Sequence, residues 1–146
     1  MPLQPEQQVL SREFEFTGDA ASIAPARDAI LKFVHEHCTD EQQETDIFLA
    51  LQEALANAIL HGCQGDPSKH VHCTVEITPS SFSFVIRDPG LGFDTGNPAD
   101  EAEDGTNLTE HGRGIYLMRS LMDEVSYRNN GSELRLKKMR AGVTAR

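Results

Sequence analysis

Glu53, Asn57 and His61 follow one another at intervals of four residues. On an α-helix that spacing puts all three on one face. The face borders a close-packing stripe of Ala50, Ala54 and Ala58, so polar groups stand where apolar ones are expected. Asn57 offers a neutral oxygen to a hard cation. Mg²⁺ takes only one or two protein oxygens and completes its shell with phosphates and water. Glu53, one turn earlier, is placed to orient or deprotonate an attacking hydroxyl or water. His61 is placed to reach a phosphate oxygen from the far end of the helix. An amphipathic helix with a solvated polar edge has the same spacing, so this segment leaves both readings open.

A second group of residues starts at Asp88. It shares strand parity with Phe82, Phe84 and Ile86, which turns its carboxylate toward the buried side. A buried carboxylate needs a partner, and the exocyclic amine of adenine is a suitable donor. Gly90 and Gly92 then remove side chains where a flat base must approach the backbone. A β-turn with a capping aspartate is the plainer alternative for this short string. Farther along, His111-Gly112-Arg113-Gly114 opens a helix. The amides of a helix N-terminus bind phosphate, and Arg113 adds positive charge there.

The elements that must position these groups are readable from periodicity. Residues 12–16 alternate polar and apolar as a half-buried strand, ended by Gly18-Asp19. Residues 20–37 form a helix with an apolar stripe of Ile30, Leu31, Phe33 and Val34. Thr39 or Asp40 caps a second helix, which Gly62 stops. Residues 71–77 and 82–86 alternate as a hairpin. From Pro89 to His111 there is no periodicity, the mark of a lid or binding loop. A short helix over 115–122 follows. Strands around Val125-Ser126-Tyr127 and Leu134-Arg135-Leu136 flank Asn129-Asn130-Gly131, a type I′ hairpin signal. Helices and strands in blocks, joined by hairpins, predict an α+β fold: a two-layer sandwich with helices on one face of a mixed, mostly antiparallel sheet.

The chain has 146 residues, one domain's worth, with the folded core expected over about residues 12–139. A domain of this size buries roughly 68–70% of the surface its unfolded chain exposes. Its formal net charge of −10 argues against direct nucleic-acid binding and against an anionic membrane surface. The three cysteines follow no framework spacing and read as reduced thiols. Residues 1–6 carry neither a basic nor an apolar leader region, and no apolar run approaches transmembrane length, so the cytoplasm is the expected compartment.

Glu53-x-x-x-Asn57, Asp88-x-Gly90-x-Gly92 and Gly112-x-Gly114 stand in fixed order. The set resembles the N, G1 and G2 boxes of the ATPase superfamily of gyrase, the ninety-kilodalton chaperone, histidine kinases and mismatch-repair ATPases, the Bergerat fold. Residues 52–58 and 112–125 are similar to the anti-sigma-factor serine kinases, and the resemblance covers about residues 12–139. It implies ATP and Mg²⁺ as cofactors. Glu53 would be the catalytic base, Asn57 the Mg²⁺ ligand and Asp88 the adenine reader. Gly90, Gly92, Gly112 and Gly114 would shape the pocket, and Ser132 would support the adenine site. In such proteins the γ-phosphate goes to a serine or threonine of an anti-sigma-factor antagonist. The kinase sequesters a sigma factor, or another switch target, when the antagonist is phosphorylated. Many members form homodimers.

One departure separates binding from transfer. The stretch before Arg113 carries Asp94, Asp100, Glu101, Glu103, Asp104 and Glu110 but no Lys or Arg. Carboxylates beside a triphosphate are unfavourable unless they point outward. An ATP-binding regulatory module without phosphotransfer is therefore one alternative. A histidine-kinase-like catalytic domain is another, because His35-Glu36 has the look of a phosphoacceptor box; no Arg-Thr-Pro follows it. A zinc site built on His61, Cys63, His70, His72 and Cys73 lacks a second ligand pair at structural spacing.

Overall fold

A computed structural model describes residues 9–38, 40–90, 110–128 and 132–140. Strand β1 spans Leu10–Thr17, and a single 3₁₀ turn, Ala20–Ser22, leads into helix α1, Ile23–His35. Helix α2, Glu41–Asn57, continues directly into a π turn, Ala58–Gly62. Strands β2, His70–Ile77, and β3, Ser81–Arg87, form a hairpin. Helix α3, Glu110–Leu121, precedes strands β4, Glu124–Arg128, and β5, Glu133–Met139.

The five strands make one sheet in the order β1-β2-β3-β5-β4, and every pairing is antiparallel. This is the two-layer α+β sandwich that the sequence predicts, with its mostly antiparallel sheet antiparallel throughout. All consecutive strands except β3 and β4 are neighbours, and that crossover is where α3 enters. No helix among the described residues is long and apolar enough to cross a membrane.

Period-2 alternation places the core. Val71, Cys73, Val75 and Ile77 on β2 and Phe82, Phe84 and Ile86 on β3 are buried. Leu134 and Leu136 continue the same face on β5. The helices close that face with Ile30, Phe33 and Val34 from α1, Ile47, Leu51 and Leu55 from α2, and Ile115 and Met118 from α3. Burying a large aliphatic or aromatic side chain contributes about 1.5–3 kcal/mol. The opposite sheet face is polar: His70, His72, Glu76, Arg87 and Arg135 are exposed.

Asp40 caps α2, its Oδ1 accepting from the Gln43 amide at 2.9 Å. Ala50 and Ala54 lie fully or almost fully buried along α2, and small residues allow α3 to pack closely against this helix. The ends of α2 and α3 remote from the candidate site are tied together by Lys138. Its parity with Leu134 and Leu136 points it inward. Its ammonium donates to Asp46 Oδ2 at 3.0 Å and to the Leu121 carbonyl at 2.6 Å. It thereby satisfies a carbonyl of the last helical turn that lacks an intrahelical donor.

Candidate functional site

The last turns of α2 carry Glu53 and Asn57, one turn apart on the helix face that meets α3. Gly114 of α3 stands directly against them. A Cβ at Gly114 would come within 2.9 Å of Glu53 Oε2, 3.5 Å of Asn57 Nδ2 and 3.8 Å of Asn57 Oδ1. The helix begins at Glu110, so Gly112-Arg113-Gly114 lies inside its opening turns rather than before them. The opening turns of α3, where the helix dipole is positive, therefore lie beside the Glu53 carboxylate and the Asn57 amide. Arg113 is exposed on this turn.

Asp88 lies one residue beyond β3, half-buried, with its carboxylate seated on Gly62. A Cβ at Gly62 would overlap that carboxylate. Asp88 Oδ1 accepts from the Gly90 amide at 2.8 Å, and the Asp88 amide donates to the Ser132 carbonyl at 2.9 Å. The second bond draws the Ser132 backbone beside Asp88. Gly90 closes on the same spot, where a Cβ would lie 2.9 Å from the Gly62 carbonyl.

The π turn is what brings Gly62 there. Its i→i+5 bonds widen the helix end, and the Cys63 amide closes it on the Ala58 carbonyl at 2.9 Å. Cys63 is held tightly against Gly18, where an added Cβ would approach Cys63 Sγ to 2.7 Å. His61 lies within this turn and is exposed. Gly62 is more than the helix stop that the sequence indicated; it is the seat of Asp88.

Burial raises the Asp88 pKa above the usual carboxylate value, and the Gly90 amide draws it partly back. Burial, then the Asp88 charge, raises the Cys63 thiol, which keeps it protonated and unreactive. For Asp88 the sign is that of a carboxyl with a folded pKa above its unfolded one. Its charge costs stability once pH exceeds the folded pKa, and the cost disappears below the unfolded pKa. Asp88→Asn removes the charge and keeps an acceptor for Gly90. The variant is expected to melt higher than the parent at neutral pH, with the gap narrowing as pH falls through the Asp88 pKa. Melting curves with a gap that widens on acidification would contradict this assignment.

The donor set fits Mg²⁺ and a nucleotide. One neutral amide and one carboxylate are hard oxygen ligands. The amide Nδ2 of Asn57 is buried without a hydrogen bond of good geometry among the described residues. Tyr127, which the sequence reading passed over, stands against it: the Asn57 side chain interacts with the Tyr127 hydroxyl. The alternation of Val125 and Tyr127 on β4 is the signal that pointed inward. Gly92 lies outside the described residues, as do Asn129-Asn130-Gly131, and the side chain of His111 is not described.

The other candidates separate from this site. His35 ends α1, exposed and paired through Nδ1 with Glu44 at 2.5 Å. His70 and His72 face outward beside Glu15, at 3.9 and 3.5 Å, whereas Cys73 points into the core. Among the described residues no group of three or more His, Cys, Asp or Glu side chains is placed to hold a metal ion. The cysteines are free thiols.

The sequence profile described as "Histidine kinase-like ATPase domain" matches residues 16–138. Among curated proteins, the chain is 30% identical over 129 residues to the anti-sigma F factor of Clostridium perfringens (strain SM101 / Type A), covering 85% of this chain and 92% of that protein. It is 33% identical over 103 residues to the anti-sigma F factor of Anoxybacillus flavithermus, covering 69% and 70%. With that of Geobacillus stearothermophilus it shares 30% over 129 residues, covering 85% and 88%. A carboxylate and an amide gathered under a helix start, an aspartate seated on a glycine, and these matches together establish that the chain belongs to the histidine kinase-like ATPase family.

Proposed function

We propose that the chain is a Mg²⁺-ATP-dependent serine/threonine kinase that acts as an anti-sigma factor in a partner-switching system. The observation that carries this reading is the convergence of Glu53 and Asn57 on the opening turns of α3, with Asp88 seated at the end of the same α2 segment. Asp88 reads the adenine amine, with Ser132 beside it and Gly90 and Gly92 leaving room for the base. Asn57 holds the metal. The amides of Gly112 and Gly114, with Arg113, His111 and His61, face the phosphates. Bound Mg²⁺ supplies charge neutralisation on the phosphates.

Glu53 takes the proton of the acceptor hydroxyl. As that oxygen bonds to the γ-phosphorus, the bond to the β–γ bridging oxygen breaks and ADP leaves. The acceptor is a serine or threonine of an anti-sigma-factor antagonist, and the sequestered partner is a sigma factor or a related switch target. The relatives' names support this partner class. The chain works in the cytoplasm and as a homodimer.

Incubation with γ-labelled ATP, Mg²⁺ and a cognate antagonist tests the reading. Label is expected on an antagonist serine or threonine. Saturable ATP binding without any label transfer would replace the kinase by an ATP-gated binding module. The acidic run from Asp94 to Glu110 is the feature that favours this second reading.

A further inference from the structure

The sheet face turned away from the helices is divided by charge. On β1 and β2 its outward side chains include Glu13, Glu15 and Glu76 and no lysine or arginine. On β3, β5 and β4 they include Arg87, Arg135, Lys137 and Arg128. Two carboxylates stand among these four cations. Glu133 is buried and shared, accepting from Arg87 Nε at 2.8 Å and from Arg135 Nε at 2.9 Å. Glu124 lies 3.8 Å from Lys137. The cations outnumber them, so this half carries a positive surplus on a chain whose net charge is −10. Between the halves, Thr74 and Val85 pair across β2 and β3, uncharged and half-buried.

Such a face is complementary to itself. A two-fold axis parallel to the strands, lying between two facing sheets, reverses the strand order of the second copy. The β1–β2 half of each chain then lies over the β5–β4 half of the other, and β3 lies over β3. Strand register puts Glu15 in one row with Arg128, and Glu76 in one row with Lys137. Each carboxylate therefore meets a cation across the pair. Val85 meets its own copy near the axis. Arg87 does so too, with its charge already countered by Glu133. Strands at about 4.8 Å spacing and about 3.3 Å per residue give a five-strand face on the order of 500 Å² per chain, about 1,000 Å² in a pair, which reaches the size of a specific interface. A uniformly acidic or uniformly basic partner would be repelled by one half of this face; a second copy is not.

We propose that two copies of this chain pair through their outer sheet faces, the acidic half of each over the basic half of the other. The inference rests on the homodimer of the proposed function and gives it an interface. Every described helix packs on the opposite face of the sheet, so Glu53, Asn57 and the start of α3 stay clear of the pairing.

Sedimentation of the full chain over a range of concentrations, with two charge-reversed variants, tests it. One carries Glu15→Arg and Glu76→Arg, the other Arg128→Glu and Lys137→Glu. The parent is expected to dimerise. Each variant alone is expected to dimerise about tenfold more weakly or worse, because like charges then face each other. An equimolar mixture of the two is expected to regain the affinity of the parent, since every reversed charge meets its opposite again. Variants that dimerise as well as the parent overturn the proposal and place the interface elsewhere. So does weakened pairing that mixing does not restore. A parent that stays monomeric overturns the homodimer itself, and does so before any substitution is made. If a doubly substituted chain does not fold, Glu15→Arg mixed with Arg128→Glu, both at exposed positions, repeats the test.

Discussion

Asn57→Ala is expected to lose the whole Mg²⁺-dependent component of ATP binding while keeping the fold of the parent. Two features set the size of this effect. Asn57 is the neutral oxygen donor beside Glu53 under the start of α3, and Mg²⁺ that relies on one or two protein ligands has no substitute when one is removed. The fold should survive because the deleted amide end has no hydrogen bond of good geometry among the described residues. Truncating a polar group that is poorly paired when buried costs little, and can stabilise. Calorimetry in the presence and absence of Mg²⁺, with a melting curve as the folding control, checks both halves. Unchanged Mg²⁺-dependent affinity would remove Asn57 from the metal site.

Glu53→Ala is expected to spare ATP binding and to lose phosphoryl transfer by about a hundred- to ten-thousand-fold, the range of general base catalysis. In its proposed role the carboxylate takes the nucleophile's proton and makes no contribution to holding a polyanion. Removing it withdraws a negative charge from beside the phosphates, so affinity for the nucleotide should not fall. Single-turnover transfer to an antagonist, set beside the nucleotide affinity of the same preparation, separates the two quantities. A normal transfer rate would exclude Glu53 as the base; a parallel loss of binding would assign it to the nucleotide pocket instead.

Much of this arrangement is legible in the residues themselves. Helical spacing made Glu53 and Asn57 neighbours, and strand parity turned Asp88 inward. Both signals are local, and both survive in the folded chain. What could not be read depends on contacts between distant segments. The π turn over Ala58–Gly62 forms where Gly18, Cys63 and Asp88 crowd the end of α2. No short-range pattern records that crowding. The sheet's uniform antiparallel pairing follows from β5 inserting between β3 and β4, an arrangement that alternation within one strand does not encode. Lys138 continues the parity of Leu134 and Leu136, yet a lysine on an apolar face makes sense only once Asp46 and the Leu121 carbonyl are beside it. Tyr127 obeys the alternation of β4 but carries no motif.

Chemistry and scaffold are separated along the helices. Lys138 ties the far ends of α2 and α3 into one unit with β5. At the site end the same two helices meet through Gly114, where side chains of α2 and backbone of α3 approach without an intervening Cβ. Preorganisation of this kind lets a ligand be bound without ordering the groups that bind it.

On the proposed reading this family member binds Mg²⁺-ATP between the Glu53–Asn57 face, the start of α3 and Asp88. Titrating the purified chain calorimetrically with ATP, first with Mg²⁺ and then with EDTA, tests it most directly. Saturable binding at one nucleotide per chain, weakened when the metal is withdrawn, is the predicted result. A chain that takes up no ATP under either condition would rule out a nucleotide pocket here.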